Sequence, residues 1–415
     1  MKSKKISSIR AFETLDSRGN PTVTVRLALE CGACGCASVP SGASTGDMEA
    51  HERRDGDQKR YFGKGTANVC ADIEAKLFPK IKGIDGSAQR YLDRRLCEID
   101  GSENKSHFGA GALLAISLAA ARASAAAYEL PLYRYLGGLC GTASIPTPMM
   151  NIINGGCHAS NNIDIQEFMI VPVGAPTFSE KLRIGCEIYH TLKDILKKGG
   201  FSVAVGDEGG FAPNLRGDED AIEFLLEAIQ TAGYDTDTVK ISLDIAASEW
   251  VKNGVYLPPK RGIVQTAEEL TQTFSGFCTK YPILSIEDPL GEHDENGWKH
   301  ITETLGNQTM LVGDDLFVTN QKRLSIGIEK KLGNAILIKP NQIGTLTETL
   351  DTIHLAKTSG YQTIISHRSG ETQDTFISDI AVATGAPFIK AGAPARGERV
   401  AKYNRLLKIE QTRLI

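Results

Sequence analysis

The chain has 415 residues, a formal net charge of −4, 41% hydrophobic residues and 23% charged residues. It is too long for one ordinary domain and globular in composition, so two domains are expected. The slight acidic balance leaves no basic excess to coat phosphates, which excludes a general nucleic-acid partner. An anionic ligand has to be drawn by a local positive field instead.

The N-terminal segment MKSKKISSIRAF is basic but lacks the apolar core of a signal peptide, and nine cysteines, an odd number, suit reduced thiols. A cytoplasmic location is expected. SSIRAFETLDSRGNPTVTVRLALECGACGCASVP alternates apolar and polar residues around a Gly-Asn-Pro turn, the pattern of an antiparallel meander. Cys31, Cys34 and Cys36 fall in this stretch with no second CxxC pair, so small residues in a strand pair are the expectation rather than a zinc site. Helical patterns follow without intervening strands: TANVCADIEAKLFPKI, AQRYLDRRLCEI and GAGALLAISLAAARASAAAYEL. The apolar run from Ala110 to Tyr128 is interrupted by Arg122 and reads as a buried helix, so no membrane span is expected. Strands then helices define an α+β domain, placed at 1–138, ahead of a second domain at 139–415.

In the second domain strand and helix alternate. SEKLRIGCEIYHTLKDILKKGG and DEDAIEFLLEAIQTAG read as helices with glycine stops, and SVAVGDE between them as a strand. Six later apolar runs each end on a charged residue: KISLD at Asp244, ILSIE at Glu287, MLVGD at Asp314, AILIK at Lys339, TIISHR at His367 and Arg368, and PFIK at Lys390. After a first gap of 43 residues they recur every 23–28 residues, about one strand plus one helix. About eight such strands predict an α/β fold with a C-terminal (β/α)8-type barrel beside the smaller N-terminal α+β domain. Charges at the ends of parallel strands converge on one mouth, where barrel enzymes do chemistry.

Asp244, Glu287 and Asp314 offer three hard oxygen donors with no Cys or His beside them, a set suited to Mg²⁺. Lys339 ends an apolar strand; Lys390 and bound metal would push its ammonium toward neutrality, making it a base, with a structural ion pair as the alternative. His367-Arg368-Ser369 lies where a strand passes toward a helix expected to start near Glu371; a guanidinium, a hydroxyl and a helix N-terminus make a phosphate site. Glu167 and Glu208 are carboxylates the metal does not need; sharing a proton, one of them becomes a general acid. Ser44 in SGASTG and His158 in NGGCHASNN, taken alone, are a loop serine and a loop histidine.

The motifs DSRGNPTV, PSGASTG, RDGD, GKGTANV, PMMNIINGG, VGDEGGFAPNL, SIEDPL, IKPNQIGTLTET, SHRSGETQDTFI and IKAGAPARGERVAKYNRLL occur in one order almost end to end. Together they closely resemble those of the enolase family. The resemblance implies a reversible, Mg²⁺-dependent dehydration of 2-phosphoglycerate to phosphoenolpyruvate, and a dimer or ring of dimers. It implies that Asp244, Glu287 and Asp314 hold a first Mg²⁺, and that Ser44 joins a second that arrives with substrate. Lys339 would take the C2 proton, and Glu208, assisted by Glu167, would help expel the C3 hydroxyl. His158, Arg368 and Ser369 would contact phosphate, His367 would be a further active-site histidine, and Lys390 would face the substrate carboxylate. The family pattern also implies that the first two barrel strands break strict βα alternation. Thr24 and Lys408 depart from an acid–arginine pair associated with the family's subunit contact.

Overall fold

The computed structural model describes residues 3–42, 46–140 and 144–413. Strands β1 (Ile6–Leu15), β2 (Pro21–Leu29) and β3 (Cys34–Ser38) form an antiparallel sheet in that order. At the β1–β2 turn the Asp16 carboxylate accepts the backbone N–H groups of Arg18 and Asn20, and Gly19 takes a positive φ. Val23, Val25, Leu27 and Leu29 are buried beneath the helix Ala110–Ala127, most of whose side chains are buried too. A Cβ on Gly35 would lie 2.0 Å from the Ala119 carbonyl, so an alanine-rich helix and a glycine strand meet at backbone distance. That packing accounts for the small residues of the Cys31–Cys36 stretch: Cys34 and Cys36 are exposed, and Cys31, Cys34 and Cys36 are all free thiols. Thr24 is also buried, its hydroxyl linked to those of Thr14 (2.8 Å) and Ser38 (2.6 Å) within the sheet.

Eight strands close the barrel: β4 (Thr147–Asn154), β5 (Glu167–Val171), β6 (Lys240–Asp244), β9 (Ile283–Glu287), β10 (Met310–Gly313), β11 (Ala335–Ile338), β12 (Gln362–Ser366) and β13 (Phe388–Lys390). A two-stranded ribbon, β7 (Val251–Lys252) with β8 (Val255–Tyr256), sits outside it. All neighbours in the barrel run parallel except around β5, which is antiparallel to both β4 and β6. Because β5 runs away from the mouth, its first residue, Glu167, stands there. The helix Phe178–Lys198 then climbs back, and Asp218–Thr231 descends to the start of β6.

The turn between those two helices corrects the strand expected at SVAVGDE. Val205 makes only an isolated bridge with Phe211, and Glu208 sits on a loop. A strand there would have nowhere to pair, since β5 and β6 are already neighbours in the closed sheet.

Side chains two apart on a strand share a face. Met149, Met169, Val171, Val312, Ala335, Leu337 and Ile364 form a separate buried apolar cluster. Glu167, Asp314 and Lys339 each lie two positions from a member of that cluster. The charged mouth therefore rests on an apolar floor, and the alternate residues, such as Ile336 and Ile338, join the main core. The two domains are tied by buried or half-buried ion pairs, Arg122 with Asp374 (2.6 Å) and Lys105 with Glu348 (2.6 Å).

Candidate active site

At one side of the mouth three acids meet two lysines. Strand register sets Asp244 beside Glu287, and Asp314 follows from β10. The Lys390 ammonium lies 2.8 Å from Asp244 Oδ2, 2.8 and 2.9 Å from the Glu287 oxygens, and 3.3 Å from Glu167 Oε2. Lys339 pairs with Asp314, which also accepts from Gln342 Nε2 at 2.9 Å. Asp288 serves this arrangement: in a positive-φ conformation, it accepts the N–H groups of Asp314 (2.9 Å) and Asp315 (2.8 Å) and so orients Asp314. Burial pushes Glu287 well above the usual carboxylate range, with Asp244 adding to the effect. The corner already encloses a positive charge in carboxylate oxygens, and hard oxygen donors of this kind fit Mg²⁺.

Lys339 makes the ion pair that stood as the alternative to its reading as a base. Burial pushes its ammonium down, but the charges of Asp314 and then Glu287 outweigh burial, and the net shift is upward. The neighbouring cations are real but more distant in effect than the acid in contact.

The adjoining side, reached through Glu167 beside Asp244, holds two acids and two histidines. Ligating atoms of His158, Glu167 and Glu208 all lie within 4.8 Å of one another. His158 Nδ1 is 3.5 Å from Glu167 and 3.7 Å from Glu208; Asn151 donates to Glu208 Oε2 at 3.1 Å, and His367 Nε2 lies 3.3 Å from the same oxygen. Glu167 is pushed well up, by burial first and the Glu208 charge second. Burial opposes ionisation of Glu208 as well, but His367, His158 and Arg399 hold it well below the usual range. The proton of the pair rests on Glu167. Both histidines are pushed down by burial, His367 to about 3.

The third side faces the N-terminal domain. Arg368 is buried and bidentate on Glu49, at 2.9 and 3.1 Å, and also donates to Asn341 Oδ1 at 3.2 Å. Ser369 is buried next to it. Ser41 and Gly370 exchange two backbone hydrogen bonds, stitching the small domain to this turn; a Cβ on Gly370 would lie 2.5 Å from Ser41 Oγ, so only glycine fits. The helix expected near Glu371 begins instead at Phe376, whose N–H is taken by Asp374 at 2.8 Å. A helix N-terminus therefore adds nothing to the anion seat, which depends on Arg368 and the turn.

Only about 30 Å³ remains free among these groups. Larger hollows, of about 400 and 520 Å³, lie against Thr22–Arg54 and against Ser248–Asp294. Convergence of buried charge, not volume, distinguishes the mouth. Residues 6–136 match the family model described as "Enolase, N-terminal domain", and residues 142–413 that described as "Enolase, C-terminal TIM barrel domain". The chain belongs to the enolase family.

In this enolase-family chain the structure gathers His158, Glu167, Glu208, Asp244, Asp314, Lys339, His367, Arg368, Ser369 and Lys390 around one small cavity, with Glu287 bonded to Lys390 at its edge. Ser44 lies outside the described residues. Sequence reasoning missed Glu49, Asn151, Gln166, Asp288, Gln342 and Arg399. Gln166 donates to Asp244 at 3.4 Å. One of these carried a readable signal. Arg399 and Lys402 share helical spacing with Tyr403, Leu406 and Ile409, so two cations stand on an apolar helix face, and both are wholly buried.

Proposed function

We propose that this chain is a phosphopyruvate hydratase, interconverting 2-phosphoglycerate and phosphoenolpyruvate with loss or gain of water. One observation carries the reading: a largely buried lysine and a buried pair of glutamates line the same cavity as an arginine–serine turn. A base, an acid and an anion seat are what a β-elimination from a phosphorylated acid requires. Lys339 Nζ removes the C2 proton, and the C2–H electron pair enters the carboxylate-stabilised carbanion. The C2–C3 double bond then forms as the C3–O bond breaks, and hydroxide leaves as water with a proton from the Glu208–Glu167 pair. Arg368 and Ser369 hold the phosphate, and Lys390 lies beside the substrate carboxylate. Asp244, Glu287 and Asp314 would hold Mg²⁺, which when bound offsets the charge of these acids and of a substrate carboxylate gaining a second negative charge. His158 stands beside both acids.

Lys339 needs to be neutral to act, so charge on Asp314 has to be engaged elsewhere during turnover. The reading predicts a rise in enol absorbance on mixing the chain with 2-phosphoglycerate and Mg²⁺. No rise, with a folded protein, overturns it. The same reading takes the enzyme as a cytoplasmic homodimer held by apolar surface, supported by eight free cysteines among the described residues and by the inward engagement of the Thr24 hydroxyl. Sedimentation at micromolar concentration in low and high salt tests this; a dimer with weak salt dependence is expected, and a monomer refutes it.

A further inference from the structure

Arg399 lies in the first turn of the helix Gly397–Arg413 and is 0% exposed. Its Nη1 lies 2.6 Å from His367 Nδ1 and 2.6 Å from the Arg368 carbonyl. Its Nη2 lies 2.5 Å from the Ser369 carbonyl, 3.2 Å from that of Asp207 and 3.4 Å from Ser17 Oγ. A guanidinium has five N–H donors, no acceptor, and does not lose its proton in proteins. The contact with His367 therefore runs one way: arginine donates and Nδ1 accepts through its lone pair.

Imidazole has three protonation states. The cation carries hydrogen on both nitrogens, and one neutral tautomer carries it on Nδ1; each would set N–H against N–H at 2.6 Å. Only the neutral Nε2–H form fits. His367 Nε2 is the atom that lies 3.3 Å from Glu208 Oε2, and no well-directed hydrogen bond engages it elsewhere or uses up its donor capacity.

We propose that Arg399 is a positioning residue that holds His367 as the neutral Nε2–H tautomer and aims its single proton at Glu208. Two consequences follow from the bond directions. A histidine relays protons only if both nitrogens can exchange; here Nδ1 is sealed, so His367 orients Glu208 and passes nothing onward. It also faces the ionised Glu208 as a donor without adding charge of its own. The groups facing His367 are Glu208 from the loop after Phe178–Lys198, Arg399 from the C-terminal helix and Lys390 from β13. The catalytic consequence rests on Glu208 being the acid of the proposed dehydration; the tautomer does not.

The decisive measurement is nitrogen NMR of the full chain labelled in histidine, with His367→Gln used to assign the signal. The expected spectrum has His367 protonated on Nε2 alone and unchanged between about pH 5 and 8, where an ordinary histidine titrates. A signal protonated on Nδ1, or one that becomes cationic in that range, overturns the proposal without any variant of Arg399. Arg399→Met, which cannot donate, should let the His367 signal titrate. It should also lower dehydration by roughly 10- to 100-fold, the usual cost of losing a group that orients a reacting side chain, while C2 proton exchange changes little. Arg399→Lys, still a donor, should restore the tautomer. If the methionine variant folds and keeps the wild-type tautomer, or loses both half-reactions equally, Arg399 is merely structural and the proposal fails. A chain that does not turn over 2-phosphoglycerate yet shows the Nε2–H signal would refute the proposed function and leave the tautomer assignment standing.

Discussion

The two sides of the barrel mouth solve the same problem with different counterions. Five acids are buried there. Asp244, Glu287 and Asp314 are neutralised by the ammonium groups of Lys390 and Lys339. Glu208 stands against two imidazoles that burial pushes toward neutrality, and Glu167 stands between Lys390 at 3.3 Å and His158 at 3.5 Å. Acids held by ammonium groups stay ready for a cation, since one positive charge can replace another. Each side drives one carboxyl up, Glu287 and Glu167, and holds another down, Asp314 and Glu208; a carboxyl driven up keeps its proton near neutral pH. In the proposed reaction the first side serves a metal and the second a proton.

Removing metal tests that division most severely. A chelator should reduce turnover to background, and excess Mg²⁺ should restore it. Mg²⁺ at a hundredfold excess over Kd should also stabilise the fold by about 2.7 kcal/mol in thermal unfolding. A chain fully active in chelator would mean that the acid–lysine side does not work through a cation.

Next come the two proton-handling groups, which ought to fail separately. Lys339→Ala should lower both C2 proton exchange and turnover by up to about 10⁴-fold. Glu208→Gln should lower dehydration by roughly 10²-fold or more while exchange persists. Equal loss of both half-reactions in both variants would erase the distinction between the sides.

A smaller effect is expected at the anion seat. Glu49 occupies Arg368 from within the chain, so substrate phosphate has to compete with it. Glu49→Gln should tighten inorganic phosphate binding by about tenfold, on the order of 1.4 kcal/mol, measured by calorimetry. It should also lower stability without phosphate, because a buried guanidinium loses its charged partner. Unchanged phosphate affinity would show that the carboxylate and the anion do not share the seat.

The mildest test is acid titration of stability. His367 falls from an ordinary value of 6.5 to about 3 in the fold. The unfolded chain therefore binds the extra proton, and this contribution is complete above about pH 6.5 and drains away as pH falls toward 3. Its slope is at most about 1.4 kcal/mol per pH unit for one proton. Urea unfolding at neutral and mildly acidic pH should show a shallower decline for His367→Gln than for wild type. Identical declines would mean that His367 is not a neutral buried imidazole.

Much of this was legible before any coordinates. A barrel strand faces inward at alternate positions, so an apolar run that ends on Asp244, Glu287, Asp314, Lys339 or Lys390 announces a polar mouth above an apolar floor. What escaped depends on direction and distance. SVAVGDE has the composition of a strand, yet reversal of β5 requires a loop at the mouth, and no local pattern encodes reversal. The late start of the helix after Ser369 was signalled by Asp374 and Thr375 just ahead of Phe376, a capping pair overlooked in favour of proximity to the strand. Glu49 meets Arg368 across 319 residues, a contact visible only once two domains are folded together. The contact of Lys339 with Asp314 was hidden as well, because sequence orders the cations and acids but does not say which ones touch.

The loop bearing Glu208 is fastened on one side to barrel strand β4, through Ile152, Asn154 and Asn151, and on the other to the last stretch of the chain. The Glu208 carbonyl accepts from Ala393 N at 2.9 Å, Arg396 reaches the Gly206 carbonyl at 3.3 Å, and Arg399 reaches that of Asp207. Lys339 and its neighbouring acids have no such attachment; they stand on strands. Terminal helices open more readily than barrel strands as temperature rises. Warming should therefore uncouple the two halves of the reaction: as Gly397–Arg413 begins to detach, the Glu208 loop loses the Arg399 part of its footing while the base keeps its own. In a narrow interval below global melting, the enzyme would exchange substrate hydrogen with solvent and release almost no product.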